Sequence, residues 1–158
     1  MNLMRALVPA LVAIACTFAR AEPTPAAIAA EVTDNVAMEY AECAAYFSIV
    51  SRAFSSSGKS TEAPKFQDAS DKAALFSLMA AKQSRDDAMA TKVTLARIEM
   101  SLKDMQKTID NNYSNMSLLS NKYLTPCIDA MRDSAPLIKR WTERIQNKYG
   151  KAEKTKRQ

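Results

Sequence analysis

An all-α fold, an antiparallel bundle of about four helices stapled by one disulfide, is what this sequence predicts, and three observations predict it. Only two glycines, Gly58 and Gly150, occur in 158 residues, alanine, lysine, serine and methionine are plentiful, and β-branched runs are absent. That composition favours helix. Apolar residues recur at alternating spacings of three and four along most of the chain, which is helical and not strand periodicity. Two isolated cysteines, Cys43 and Cys127, stand far apart in a chain that opens like an export signal, and in an oxidising compartment such a pair forms a structural disulfide.

Residues 1–21 have the form of a signal peptide. Met1 to Arg5 carries one positive charge, and Ala6 to Ala15 is uncharged and too short to span a bilayer. Two cleavage sites compete. Ala19-Arg20-Ala21 has the small-residue form of an ordinary signal peptidase site and would leave Glu22 as the new N-terminus. Cys16 could instead carry lipid, but Ala13 stands where a larger aliphatic residue is usual, so cleavage after Ala21 is preferred. The expected location is therefore periplasmic or secreted, with a lipoprotein anchored through Cys16 as the alternative. Either route leaves Cys43 and Cys127 as the remaining pair.

The chain from Glu22 is long enough for one modest core. Residues 22–150 are expected to form the helical bundle and residues 151–158 a disordered basic tail, since only Ala152 in that stretch is apolar.

Thr24-Pro25 reads as an N-cap followed by proline in the first turn. The helix it starts runs to about Ser55, with an apolar stripe of Val36, Tyr40, Cys43, Phe47, Val50 and Phe54. Ser55 to Pro64, with Gly58, is a loop. A second helix starts near Lys65 to Ser70, with Ala69, Ala73, Phe76 and Ala80 on one side and Leu75 and Met79 beside them. Ser84-Arg85-Asp86-Asp87 has capping-box form and marks the next break.

The third helix carries the most regular pattern. Leu95, Ile98, Leu102, Met105, Ile109, Asn112, Met116, Leu119 and Tyr123 alternate at three and four without a slip, the spacing of a coiled-coil seam. This predicts one long heptad-patterned helix, with Asn112 as a buried polar residue that sets register. Thr125-Pro126 repeats the cap-then-proline signal and predicts a fresh helix start. Ser134-Ala135-Pro136 predicts another, and Gly150 a helix end. The last helix sets Ile138, Trp141, Ile145 and Tyr149 against Lys139, Arg140, Arg144 and Lys148.

The chemistry the sequence offers is sparse. Without histidine, Ser-His-Asp and Cys-His catalytic arrangements and the commonest zinc sites are excluded. Two glycines cannot build a phosphate-binding loop or a nucleophile elbow. Glu39 with Glu42, and Asp86 with Asp87, read as solvated helix surface or helix start. Met89, Met100, Met105 and Met116 do not form a copper-binding cluster. The sequons at Asn112 and Asn115 fall inside the expected helix. No catalytic residue, cofactor or metal is expected, and no nucleic acid.

Charge is concentrated at one end. Leu137 to Gln158 holds eight basic and two acidic residues, a net of +6, whereas Glu22 to Pro136 is net negative. The leading expectation is a non-enzymatic helical protein, monomer or homodimer, that binds another envelope or secreted protein as an inhibitor, immunity factor, adaptor or chaperone. The second is an anionic-surface binder (lipid, lipopolysaccharide or cell wall polymer) using Lys139, Arg140, Arg144, Lys148, Lys151, Lys154, Lys156 and Arg157. Burial of Trp141 against the bundle is favoured over exposure, because a chain of this size needs its last apolar stripe to close the core.

Overall fold

The computed structural model describes residues 23–59 and 61–156, with side chains as far as Gly150. Among these residues there are five α-helices and no strand: α1 Pro25–Ser56, α2 Ala63–Ala81, α3 Asp87–Thr108, α4 Met116–Arg132 and α5 Ala135–Lys156, with a 3-10 turn at Tyr113–Asn115. The all-α class is as expected, although the count is five. The signal segment, Cys16, the cut before Glu22 and Arg157 lie outside the described residues.

α1 starts where Thr24-Pro25 predicts. Thr24 Oγ1 accepts a hydrogen bond from the Ala27 N–H at 3.1 Å, and Pro25 occupies the first turn, where its missing N–H costs nothing. The predicted stripe is buried or partly buried, but so is the opposite side: Ala41, Ala45, Tyr46 and Ile49 are inaccessible. From Tyr40 to Ser51 the only charged residue is Glu42. A helix apolar on all sides belongs in the middle of a fold, and the other four helices all pack on α1.

α2 runs antiparallel to α1 at a distance set by small residues. Three buried serine hydroxyls tie the pair to backbone carbonyls: Ser77 Oγ donates to Ala37 O at 2.7 Å, Ser70 Oγ to Ala44 O at 2.8 Å, and Ser51 Oγ to Ala63 O at 2.9 Å. Each rung is seven residues further up one helix and seven further down the other. Residues seven apart share a helix face, so alanines and serines in that register let the backbones approach. The satisfied hydroxyls avoid the cost of burying an unpaired polar group. α2 begins at Ala63, slightly earlier than expected.

The break between α2 and α3 falls at the predicted place, but the cap is Asp86 and not Ser84: Asp86 Oδ1 accepts from the Met89 N–H at 2.9 Å. Carboxylates suit this position, where backbone N–H groups point outward.

The single heptad helix expected through residues 95–123 is two helices. α3 stops at Thr108, and Asp110 and Asn111 take left-handed backbone angles, φ 53° and 54°. Asp and Asn tolerate that conformation better than other side chains. Asn112 is exposed; its Oδ1 accepts from the Ser114 N–H at 3.0 Å, and Asn115 Nδ2 donates to Ile109 O at 3.2 Å. Asn112 therefore closes a turn and is not a buried register residue. The spacing survives because Met105 and Ile109 before the turn, and Leu119 after it, all return to the same core. Leu95, expected in the seam, is 63% exposed; there α3 contacts its neighbours through Ala90 and Arg97 instead.

Pro126 does not start a helix but lies within α4. It removes one backbone donor on the exposed side of that helix, where Lys122 and Pro126 both face solvent. The restart at Ser134-Ala135-Pro136 is present, with Asp133 Oδ1 accepting from the Ala135 N–H at 2.9 Å. Gly150 does not end α5. The backbone stays helical to Lys156, which replaces the expected disordered tail over residues 151–156.

Candidate functional site

Cys43 of α1 and Cys127 of α4 are bonded, with sulfurs 2.08 Å apart and Cα atoms 5.4 Å apart. Both are buried in the main core. Tyr46 OH donates to Ser120 Oγ at 3.2 Å on one side of the bridge, and Tyr40 OH donates to Ala130 O at 3.0 Å on the other. Together these contacts hold α4 antiparallel along α1. A bond so enclosed is a structural fastening, because exchange needs an accessible sulfur.

The basic helix α5 continues that line along α1, and two of its four described candidate cations are already occupied. Glu39 of α1 receives Arg140 and, at 2.6 Å, the Trp141 indole N–H. One turn-pair away, Glu31 receives Lys148 and the Tyr149 hydroxyl, both at 2.6 Å. The two rungs are eight residues apart on both helices, so each α1 carboxylate meets a cation and an aromatic donor side by side. Lys148 and Tyr149, by donating to Glu31, hold its carboxyl below the usual range, and Glu31 in turn raises both of them. Arg144 lies over the Trp141 ring at 5.1 Å and Lys139 reaches Glu143 at 4.0 Å. Leu137 and Ile145 are buried beneath, and Trp141 is half-buried. The side chains of Lys151, Lys154 and Lys156 are outside the described part, as is Arg157.

A third charged cluster joins α1 to α3. Asp34 accepts both Oδ contacts from Arg97 at 2.8 Å and one from Arg85 at 2.6 Å. Burial alone would raise the Asp34 carboxyl, but the two guanidiniums outweigh it and hold it below its usual value. Glu42, half-buried, is pushed up by that burial, with Lys122 offsetting part of the effect.

A long concave feature was not anticipated from the sequence. α2 and the α4–α5 line both lie against α1 and leave a groove between them. Three cavities follow it, of about 460, 550 and 640 Å³. They share wall residues: Met131 and Arg132 belong to the first two, Phe66 and Leu124 to the last two. The floor runs from Val32 to Ser56 of α1, roughly 36 Å at the helical rise per residue. Met79, Ile128 and Ile138 stand on its walls, 54%, 41% and 44% exposed. Exposed apolar side chains aligned along one groove mark a contact surface more often than scattered ones do.

The widest cavity sits at the C-terminal end of α1. It is formed by the turn that interrupts the heptad pattern, which swings Tyr113, Ser114 and Met116 across from Phe54 and Phe66. Asp110-Asn111-Asn112 was the sequence signal for that turn, since three adjacent weak helix formers compete for backbone hydrogen bonds.

The chain matches no protein-family profile, no curated protein and no solved structure. Among the described residues, no group of three or more His, Cys, Asp or Glu side chains is placed to hold a metal ion, and no helix is long and apolar enough to cross a membrane.

Proposed function

We propose that this is an exported, non-enzymatic helical protein that binds another envelope or secreted protein along the α2–α4/α5 groove. The groove carries the reading. Its apolar floor, its length of several helical turns and its exposed Met79, Ile128 and Ile138 suit an amphipathic helix laid lengthwise, a recurring mode of protein recognition. The rigid frame on both sides, fastened by the Cys43–Cys127 bond and the serine rungs, keeps the groove open without a partner. The anionic-surface reading has less support, because Arg140 and Lys148 already serve Glu39 and Glu31.

Site-specific photocrosslinking tests the proposal. A photoreactive residue at Met79 or Ile128 should capture the same partner from an oxidised envelope extract, and one at Leu95, more exposed than either but on α3, should not. Equal capture from all three positions, or none, would refute it. Deleting residues 151–158, which leaves the α5 rungs in place, should not release the partner. Release at low salt only would favour the anionic surface. Export is read separately by intact mass, expected to begin at Glu22 without acyl chains.

A further inference from the structure

The cavity of about 640 Å³ at the C-terminal end of α1 differs from the rest of the groove in its chemistry. Its volume lies within the range of small-molecule sites. On one part of its wall Val50, Met116 and Leu124 meet the stacked rings of Phe54 and Phe66, whose centroids are 5.0 Å apart, while the tyrosines Tyr46 and Tyr113 and four serines, Ser114 and Ser120 among them, add hydroxyls to the lining. No carboxylate lines it, and the single charged residue on its wall is Lys59. Lys59 sits in the turn after α1, next to Gly58, whose φ of 76° lets the chain reverse there. Among the described residues no carboxylate stands within 4.0 Å of the Lys59 ammonium, so the cation on this wall has no salt-bridge partner there. The neighbouring cavity is different: Lys65, Lys72 and Arg132 share its wall with Asp68.

We propose that this end cavity binds a single-chain amphiphile with one anionic head, such as a medium-chain fatty acid. Its chain lies among Phe54, Phe66 and Met116, and its head is held by Lys59. A molecule polar along its whole length would lose hydration against Phe54, Phe66 and Met116, which offer it no hydrogen bond. A cationic head would meet Lys59 as a like charge. A neutral chain would fill the cavity but leave the ammonium unused. Met79, Ile128 and Ile138, on which the proposed partner contact rests, line the other two cavities, so ligand binding here is read without that partner.

Calorimetric titration of the full exported chain with octanoate, decanoate and dodecanoate below their micellar concentrations tests the proposal. Each should bind one per chain, with affinity rising about fourfold per methylene until the cavity is full. Octanol should bind about tenfold more weakly than octanoate, the worth of one charge-assisted contact at a partly exposed site, and octyltrimethylammonium more weakly still. Lys59→Gln should erase the difference between octanoate and octanol while leaving octanol unchanged. Ser114→Trp, at an exposed position on the cavity wall, should block all of these ligands. Gln83→Trp, at the far end of the groove, should block none. Both variants should melt as the parent does, which separates blockage from misfolding. No saturable binding of dodecanoate would overturn the proposal. So would an octanoate preference that survives Lys59→Gln, or equal loss in the Ser114 and Gln83 variants. Loss of the protein partner in the crosslinking experiment would leave these results untouched.

Discussion

Replacing Cys43 and Cys127 together by alanine opens a covalent loop of 84 residues. The unfolded chain then regains the conformational freedom that the bridge denies it. The loop-closure relation puts that entropy at about 4.5 kcal/mol at 25 °C. Alanine is chosen because both positions are buried, and serine would add two hydroxyls with no assured partner. For a domain of this length each kcal/mol moves the melting temperature by about 3–4 °C, so the midpoint should fall by about 15 °C. The loss should not be uniform. α1, α2 and α3 keep their serine rungs and the Asp34 cluster, whereas α4 loses its covalent tie to α1. Amide exchange should therefore rise first in α4, on either side of Cys127. The assay is thermal unfolding followed by circular dichroism, with exchange measured at 25 °C. A fall of less than about 5 °C would refute the loop-entropy reasoning and imply that the denatured chain keeps α1 and α4 close without the bond.

Three further outcomes follow from the contacts. Asp34→Asn leaves Arg85 and Arg97 without their carboxylate and should cost about 1–2 kcal/mol in urea unfolding, a figure discounted because Asp34 is about a third exposed. Its lowered carboxyl contributes stability above the unfolded value of 3.8 that is lost as pH falls through the folded value, so the variant should show less acid sensitivity. The α5 rung at Glu31 should loosen at both ends of the pH scale. Below the ordinary Glu value of 4.5 its lowered carboxyl takes up a proton; above 10, Tyr149 and Lys148, both raised, lose theirs. Trp141, the one tryptophan, should report both transitions in its emission, and Glu31→Gln should weaken them. Ser77→Ala should cost about 1 kcal/mol for its hydrogen bond to Ala37, while Ser77→Leu, forced between two close backbones, should cost about 3 kcal/mol. Equal costs would show that the close approach is not set by residue size.

Much of the fold was legible in local sequence signals, because local chemistry decides them. Thr24-Pro25 starts α1, since an N-cap acceptor and a residue without an N–H are complementary to a helix start wherever they occur. The break near Asp86, the restart at Ala135 and the all-α class follow from similar short-range preferences. The disulfide was legible because, with Cys16 expected to leave with a signal segment or to carry lipid, Cys43 and Cys127 have one way to pair. Tertiary structure decided the rest. Heptad spacing from Leu95 to Tyr123 states which residues seek the core, but it does not state that the backbone is continuous. The Asp110–Asn111 turn keeps the same residues inward while dividing the helix. Pro126 and Gly150 are helix breakers in isolation, but packing against α1 and an exposed outer face make their local cost tolerable. Cations such as Arg140 and Lys148 look free in one dimension, since their carboxylates lie about a hundred residues away, and only the antiparallel docking of α5 brings Glu39 and Glu31 to them. The groove belongs wholly to the tertiary level: it is the space two helices leave when both pack on a third, and no stretch of sequence encodes it by itself.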